Sequence, residues 1–278
     1  MSPPHETRQT RPQRMINTRM KYICNYQNEI IPPKALQKMR FSKTTLNLES
    51  SSSTFSKPLT TKYLTNHPIS SPRLAAIQHR NPHFLNLPEC NPIPTSHPPP
   101  EDLRDCGSCH SIAHVLDEYL HRLPRENFPD PYDTLADHSG WSWVDPRLHH
   151  IYPHVTMLVE QDVRDHVPDG CLLRHELGYI LRAIQVRLDM GGCLIRGSRS
   201  RSDIIVKVLM LSLLPPQHGR ILEAHIDGYS CVVVASSRTY SFERNEDAPV
   251  ELFCRWLAAA PIGVREYEPR PRHVSDEE

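Results

Sequence analysis

The dipeptide Asp227-Gly228 stands between two runs of strand-forming residues, 220–226 and 229–235. No other feature of the sequence constrains the fold as tightly. Asp-Gly adopts the positive φ angles that a two-residue hairpin turn needs. With such a turn Ile226 faces Tyr229, Ala224 faces Cys231 and Leu222 faces Val233, which gathers apolar side chains on one face of the ribbon. The alternate residues Glu223, His225 and Asp227 share the other face. They resemble an acid–base set, but the wet side of a half-buried strand gives the same alternation. A strand over residues 204–214 precedes the hairpin, and a short one over 239–242 follows it.

Helical spacing appears on both sides of these strands. Ile112, Val115, Leu116, Tyr119, Leu120 and Leu123 form one apolar stripe, stopped by Pro124. Residues 154–167 read as a short helix. Leu173, Leu177, Ile180, Ile184 and Leu188 form a second stripe, with Asp169 at the N-cap position and Gly191-Gly192 as its stop. A last helix over 249–259 buries Leu252, Phe253, Trp256 and Leu257. The expected fold is therefore α+β. It is a small antiparallel β-meander of three to four strands packed against helices, in one domain over residues 101–265, with a charged flexible tail at 266–278.

Charge divides the chain differently. Lys plus Arg and Asp plus Glu balance at 32 each, yet residues 1–100 hold 13 basic and 4 acidic side chains, while 101–278 hold 19 and 28. The first part also carries 15 of the 27 prolines, and its apolar residues occur singly. Such a segment buries too little apolar surface to offset the entropy of ordering it. Residues 1–100 are accordingly expected to be a disordered basic Pro/Ser-rich arm that ends at Pro98-Pro99-Pro100. Pro12, Pro32 and Pro33 read as interruptions of any amphipathic helix in the basic stretch 7–43. Dispersed Lys and Arg suffice for salt-sensitive phosphate contacts. Without a cluster or interleaved aromatics, however, no specific nucleic acid is expected as partner. No run reaches the roughly 20 apolar residues of a membrane helix, so no membrane partner is expected either. Eight scattered cysteines suit reduced thiols. The expected location is intracellular, cytoplasmic or nuclear. The transit-like composition of residues 7–43 keeps a mitochondrial one open.

Two strings bear on chemistry. Cys106-Gly107-Ser108-Cys109-His110 matches the C-x-x-C-H pattern of covalent haem attachment and contains a C-x-x-C redox or zinc pair. On the helix it opens, His110, His114, Asp117 and His121 share one face. Cys106, Cys109, His110 and His114 are the candidate metal ligands and zinc the candidate cofactor. The competing reading is the solvated face of an amphipathic helix, with no cofactor. Arg196-Gly197-Ser198-Arg199-Ser200-Arg201-Ser202 alternates Arg and Ser, so Ser198, Ser200 and Ser202 are candidates for phosphorylation or an anion loop, against a plain polar connector. Nucleophile-elbow, phosphate-loop and H-E-x-x-H motifs are absent from the sequence. The expected function is a soluble non-enzymatic interaction or regulatory domain with an unknown protein partner. The alternative is a metal-binding or redox protein built on the Cys106/Cys109/His110/His114 cluster.

The string Gln217-His218-Gly219-Arg220-Ile221-Leu222-Glu223-Ala224-His225-Ile226-Asp227-Gly228 is followed by Ser241-Phe242, Leu252-Phe253-Cys254-Arg255-Trp256-Leu257 and Pro261-Ile262-Gly263. Together these resemble a widespread group of uncharacterised proteins of filamentous fungi. The resemblance covers the C-terminal part alone, and it implies a fold unit without an assigned activity.

Overall fold

The computed structural model describes residues 9–48, 56–66, 109, 112–113, 115–117, 135–137, 141–143, 154–161, 163, 167–189, 206–227, 230–244 and 247–261. In chain order the elements are α1 (Arg11–Cys24), β1 (Ile30–Ile31), α2 (Pro33–Lys38), β2 (Phe41–Thr45), β3 (Ser56–Lys57) and α3 (Thr61–Asn66). Then come β4 (Leu135–Asp137), β5 (Trp141–Trp143), β6 (His154–Glu160), β7 (Leu172–Leu173), α4 (Arg174–Asp189) and β8 (Lys207–Leu214). The last are β9 (His218–Asp227), β10 (Cys231–Ser236), β11 (Tyr240–Ser241), α5 (Val250–Leu257) and β12 (Ala260–Pro261). Cys109, Ile112, Ala113, Val115, Leu116 and Asp117 are helical too, as their spacing predicts.

The fold is α+β, but its sheet is larger than a meander. Five strands run in the order β2-β10-β9-β8-β6, and β11 joins as the sixth by pairing with the start of β9. The β9–β10 hairpin forms with a different register from the expected one. Ile226 lies opposite Val232, Ala224 opposite Val234 and Leu222 opposite Ser236, because the strands end at Asp227 and resume at Cys231, leaving three residues between them. Residues 154–160 are strand and not helix. Val155, Thr156 and Val159 are β-branched, and β6 runs parallel to β8 with α4 as the crossover. β2 runs parallel to β10. The sheet is thus mixed, with antiparallel β9 between parallel neighbours.

Both faces of this sheet are covered. Val208, Met210, Leu222, Ala224, Val232 and Val234 pack with Val155 and Met157 under Leu177, Ile180, Leu181 and Ile184 of α4. Leu209, Leu211, Leu213 and Ile221 pack on the other side with Ile112, Leu116, Phe253 and Trp256. There the rings of Phe242 and Phe253 meet edge to face, 4.9 Å between centroids. Gly219 makes room for them, since a Cβ at that position would lie 2.8 Å from Cε1 of Phe253.

The boundary at residue 100 does not separate structured from unstructured chain. Residues 9–48 are built into the folded domain, contrary to the expected arm: Met15 to Phe41 supply side chains to the first core, and Leu46 and Leu48 to the second. Thr10 caps α1 in a capping box with Gln13, and Pro12 sits in the first turn. Ile16 and Ile23 of α1 are buried with α4, and Phe41 of β2 joins the same core. Polar bonds fix the seat: Gln13 Nε2 donates to Asp189 Oδ1 at 2.9 Å, Gln185 Nε2 to Asn17 Oδ1 at 2.8 Å, and Arg19 Nη2 to the Ser230 carbonyl at 3.2 Å. β1 pairs with β7, and the Arg174 amide donates to the Glu29 carbonyl at 2.7 Å. β3 pairs with β12, and Arg255 Nε donates to the Leu59 carbonyl. Residues 67–100 and the tail at 266–278 lie outside the described residues.

A direct consequence concerns stability. Ile16→Ala should cost about 2–5 kcal/mol by denaturant titration, and deletion of residues 1–45 should abolish the cooperative transition. A truncated chain that melts at the full-length temperature would refute this seating of the N-terminal segment.

Candidate functional site

Three groupings of polar side chains stand out. The first is a row across the sheet. In register, His154 of β6, Lys207 of β8, His225 of β9, Val233 of β10 and Ser42 of β2 are neighbours on one face. The next row on that face runs Thr156, Leu209, Glu223, Ala235 and Thr44. The trio Glu223, His225 and Asp227 therefore does share a face, yet that face is not uniformly wet. Glu223 is 2% exposed and Asp227 is exposed. Burial, with Lys207 beside it, pushes the His154 imidazole down to about 4. Burial also lowers Lys207, opposed by Glu223, and lowers His225, opposed by Asp227. Each of Lys207, Glu223 and His225 engages a further partner. Both ring nitrogens of His154 are buried without a hydrogen-bond partner. Burial thus favours the uncharged forms of His154 and His225 and weakens the proton affinity of Lys207, in a packed setting.

The second grouping is a buried ion pair. Arg220 Nε and Nη2 donate to Glu176 Oε1 and Oε2 at 2.9 and 2.5 Å, and Arg220 Nη1 donates to the Cys171 carbonyl at 3.1 Å. Glu176 also accepts from the Leu173 amide at 2.8 Å, which satisfies the start of α4. Asp169, the expected cap, lies farther back, before Gly170 at φ 86° and strand β7. Lys43 of β2 stands close enough for Arg220 to act on it electrostatically, and burial holds its pKa down. Nε, Nη1 and Nη2 of Arg220 and both carboxylate oxygens of Glu176 each take part in at least one hydrogen bond, and both side chains are buried, so the pair is a lock between sheet and helix.

The third grouping is on the outside. On α1, Arg11, Arg14, Thr18, Lys21 and Tyr22 are exposed and fall within about 100° of one another on the helical wheel. Ile16, Arg19 and Ile23 occupy the inward side. Lys34 and Lys38 of α2 and Arg40 at its end are exposed as well. Arg40 lies near the C-terminal half of α1, where it and Tyr22 both act electrostatically on buried Arg19. Glu29 is the sole acidic residue between positions 9 and 48. The sequence carried this signal in its acid-poor stretch, and the reading of its prolines as helix breakers hid it.

Of the candidate metal ligands, Cys106, His110 and His114 lie outside the described residues. Cys109 is buried in the second core, and burial, aided by Glu160, pushes its thiol up to about 12. Among the described residues no group of three His, Cys, Asp or Glu side chains is placed to hold a metal ion. Ser198, Ser200 and Ser202 are outside the described residues too. No described helix is long and apolar enough to cross a membrane. Comparison with protein-family models, curated proteins and solved structures finds no match to this chain.

Two measurements test the interior groupings. Glu176→Gln leaves Arg220 as a buried charge without its counter-ion and should cost about 3–5 kcal/mol in denaturant. A Glu176→Leu, Arg220→Met double variant should lose less than that single change; additive losses would contradict a lock. For His154 the folded imidazole binds its proton less tightly than the unfolded one, so the unfolded state takes up more protons between about pH 6.5 and 4. The contribution is fully present above pH 6.5 and lost by about pH 4, amounting to about 3 kcal/mol over that window. His154→Leu should flatten the wild-type decline there, and parallel pH curves for the two proteins would disprove the assignment.

Proposed function

We propose that this chain is a non-enzymatic interaction module that binds polyanionic partners through the outward surface of residues 9–45. One observation carries the reading. Arg11, Arg14, Lys21, Lys34, Lys38 and Arg40 are exposed on one contiguous stretch of chain, with Glu29 as its only acid. A cluster of like charges on a rigid, docked helix raises the local potential and draws counter-ions, whatever the net charge of the whole molecule. The interior gives an enzyme reading nothing comparable. The Glu176–Arg220 pair is buried and its charged atoms bond to each other, and the His154–Lys207–His225 row is packed with its members already engaged or buried. The metal or redox alternative rests on Cys109 among its ligands. A thiol held protonated in an apolar core is a poor ligand and nucleophile, since the thiolate is the reactive form.

The test is retention on immobilised heparin at low salt, using the full chain. Arg14→Glu with Lys21→Glu should weaken binding to a heparin oligosaccharide about tenfold or more. Lys57→Glu with Lys62→Glu, a matched reversal of exposed residues on β3 and α3, should leave it unchanged. Equal losses from the two pairs, or no retention of the unaltered protein, would overturn the proposal.

A further inference from the structure

Tyr22 does not fit a surface that merely attracts anions. It is 54% exposed, and among the described residues it is the exposed large hydrophobic side chain. Its ring stands on the outward face of α1 with Arg14, Thr18 and Lys21, and Arg40 comes from the neighbouring turn. Thr18 turns its hydroxyl back to the Arg14 carbonyl at 2.8 Å, so it does not compete for a ligand. From Arg11 to Lys21 the helix advances about 15 Å, long enough to follow several backbone phosphates. A flat ring flanked by cations along such a track is what single strands use, with bases stacking on the ring and phosphates meeting the cations. A lipid surface would ask for several apolar side chains on the same face. The exposed companions of Tyr22 on α1 are instead Arg11, Arg14, Thr18, Lys21 and Cys24. An acidic peptide would use the cations and leave the ring idle.

We infer that the polyanion is single-stranded nucleic acid, bound without sequence preference, with Tyr22 stacking on a base while Arg14, Lys21 and Arg40 meet neighbouring phosphates. This rests on the interaction reading above and deepens it. The probe is a fluorescein-labelled polyuridine of about 12 nucleotides, within the range one single-strand site covers. Its affinity for the full chain is read by anisotropy across a salt series. Three phosphate contacts give a slope of log affinity against log salt of about −2. Tyr22→Leu, which keeps bulk without a flat ring, should weaken binding about tenfold, Tyr22→Phe should retain it, and both should keep wild-type retention on heparin. A Tyr22→Leu protein that binds polyuridine normally would overturn the inference, as would tighter binding of a duplex of the same length. Association with vesicles of phosphatidylcholine and phosphatidylserine in place of polyuridine would overturn it in favour of a membrane. Heparin retention without polyuridine binding sinks the single-strand inference and leaves the polyanion reading standing; loss of both sinks both.

Discussion

Strand β8 is apolar on both of its faces, and this governs the rest of the structure. Val208 and Met210 look one way, Leu209, Leu211 and Leu213 the other, and none is more than 3% exposed. At roughly 25 cal/mol per Å² of apolar surface, neither set can be left to water. Each face therefore needs its own layer of helices. Helix α4, the crossover between β6 and β8, is one helix wide and cannot alone roof five strands. The chain recruits α1 and α2 to complete that layer, and β2 extends the sheet beneath them. The second layer combines α5 with the helical residues around Leu116. A two-layer domain with a wet sheet face, which the hairpin alone suggests, is ruled out by β8.

That constraint was already written in the sequence, in the unbroken apolar run from Val208 to Leu211 and on through Leu213 and Leu214. Near-continuous apolar strands belong to sheets covered on both faces and, as here, to parallel pairing. The alternation in β9 is misleading for the same reason. Leu222, Ala224 and Ile226 do enter the core as their pattern predicts, but Glu223 on the opposite side is buried as well, under the second layer. The hairpin was legible and its register was not. Asp227 remains in strand, the reversal takes three residues, and the shift exchanges Val233 for Val232 and Val234 as the inward partners. Turn length is a matter of a few backbone angles, and single-residue propensity does not fix it.

The N-terminal segment was lost through averaging. Residues 1–100 taken together look too polar and too rich in proline to fold, yet the first half of that stretch contains complete helix-start signals. Thr10 and Gln13 form a capping box, and Pro12 and Pro33 stand in the first turns of α1 and α2, where a missing N–H costs nothing. The same residues read as breakers if they are assumed to fall inside a helix. Ile16 and Ile23 are seven apart and share a face, but an isolated 14-residue helix with two such anchors is marginal. It forms because α4 supplies the other half of the contact. Nothing local to residues 11–24 announces that partner, which lies more than 150 positions away.

Placement of α1 also settles how its charges act. An unstructured arm would spread Arg11, Arg14 and Lys21 over many conformations, and screening beyond roughly 8 Å at physiological salt would leave each acting singly. Docking by Ile16 and Ile23 holds the apolar side inward and fixes the three cations and Tyr22 on one outward strip. Neighbours at three and four positions then lie within a screening length of one another, so their fields add. The acids that bring the whole chain to neutrality fall mainly after residue 101. Charges there that are more than a screening length from α1 contribute little at its surface. A sequence pI of about 7.3 therefore describes the molecule without describing this face. The same apolar contacts that complete the roof over β8 are what convert dispersed basic residues into a surface with a defined spacing, so the seating of α1 in the core and the fixed array of its outward cations have one physical origin.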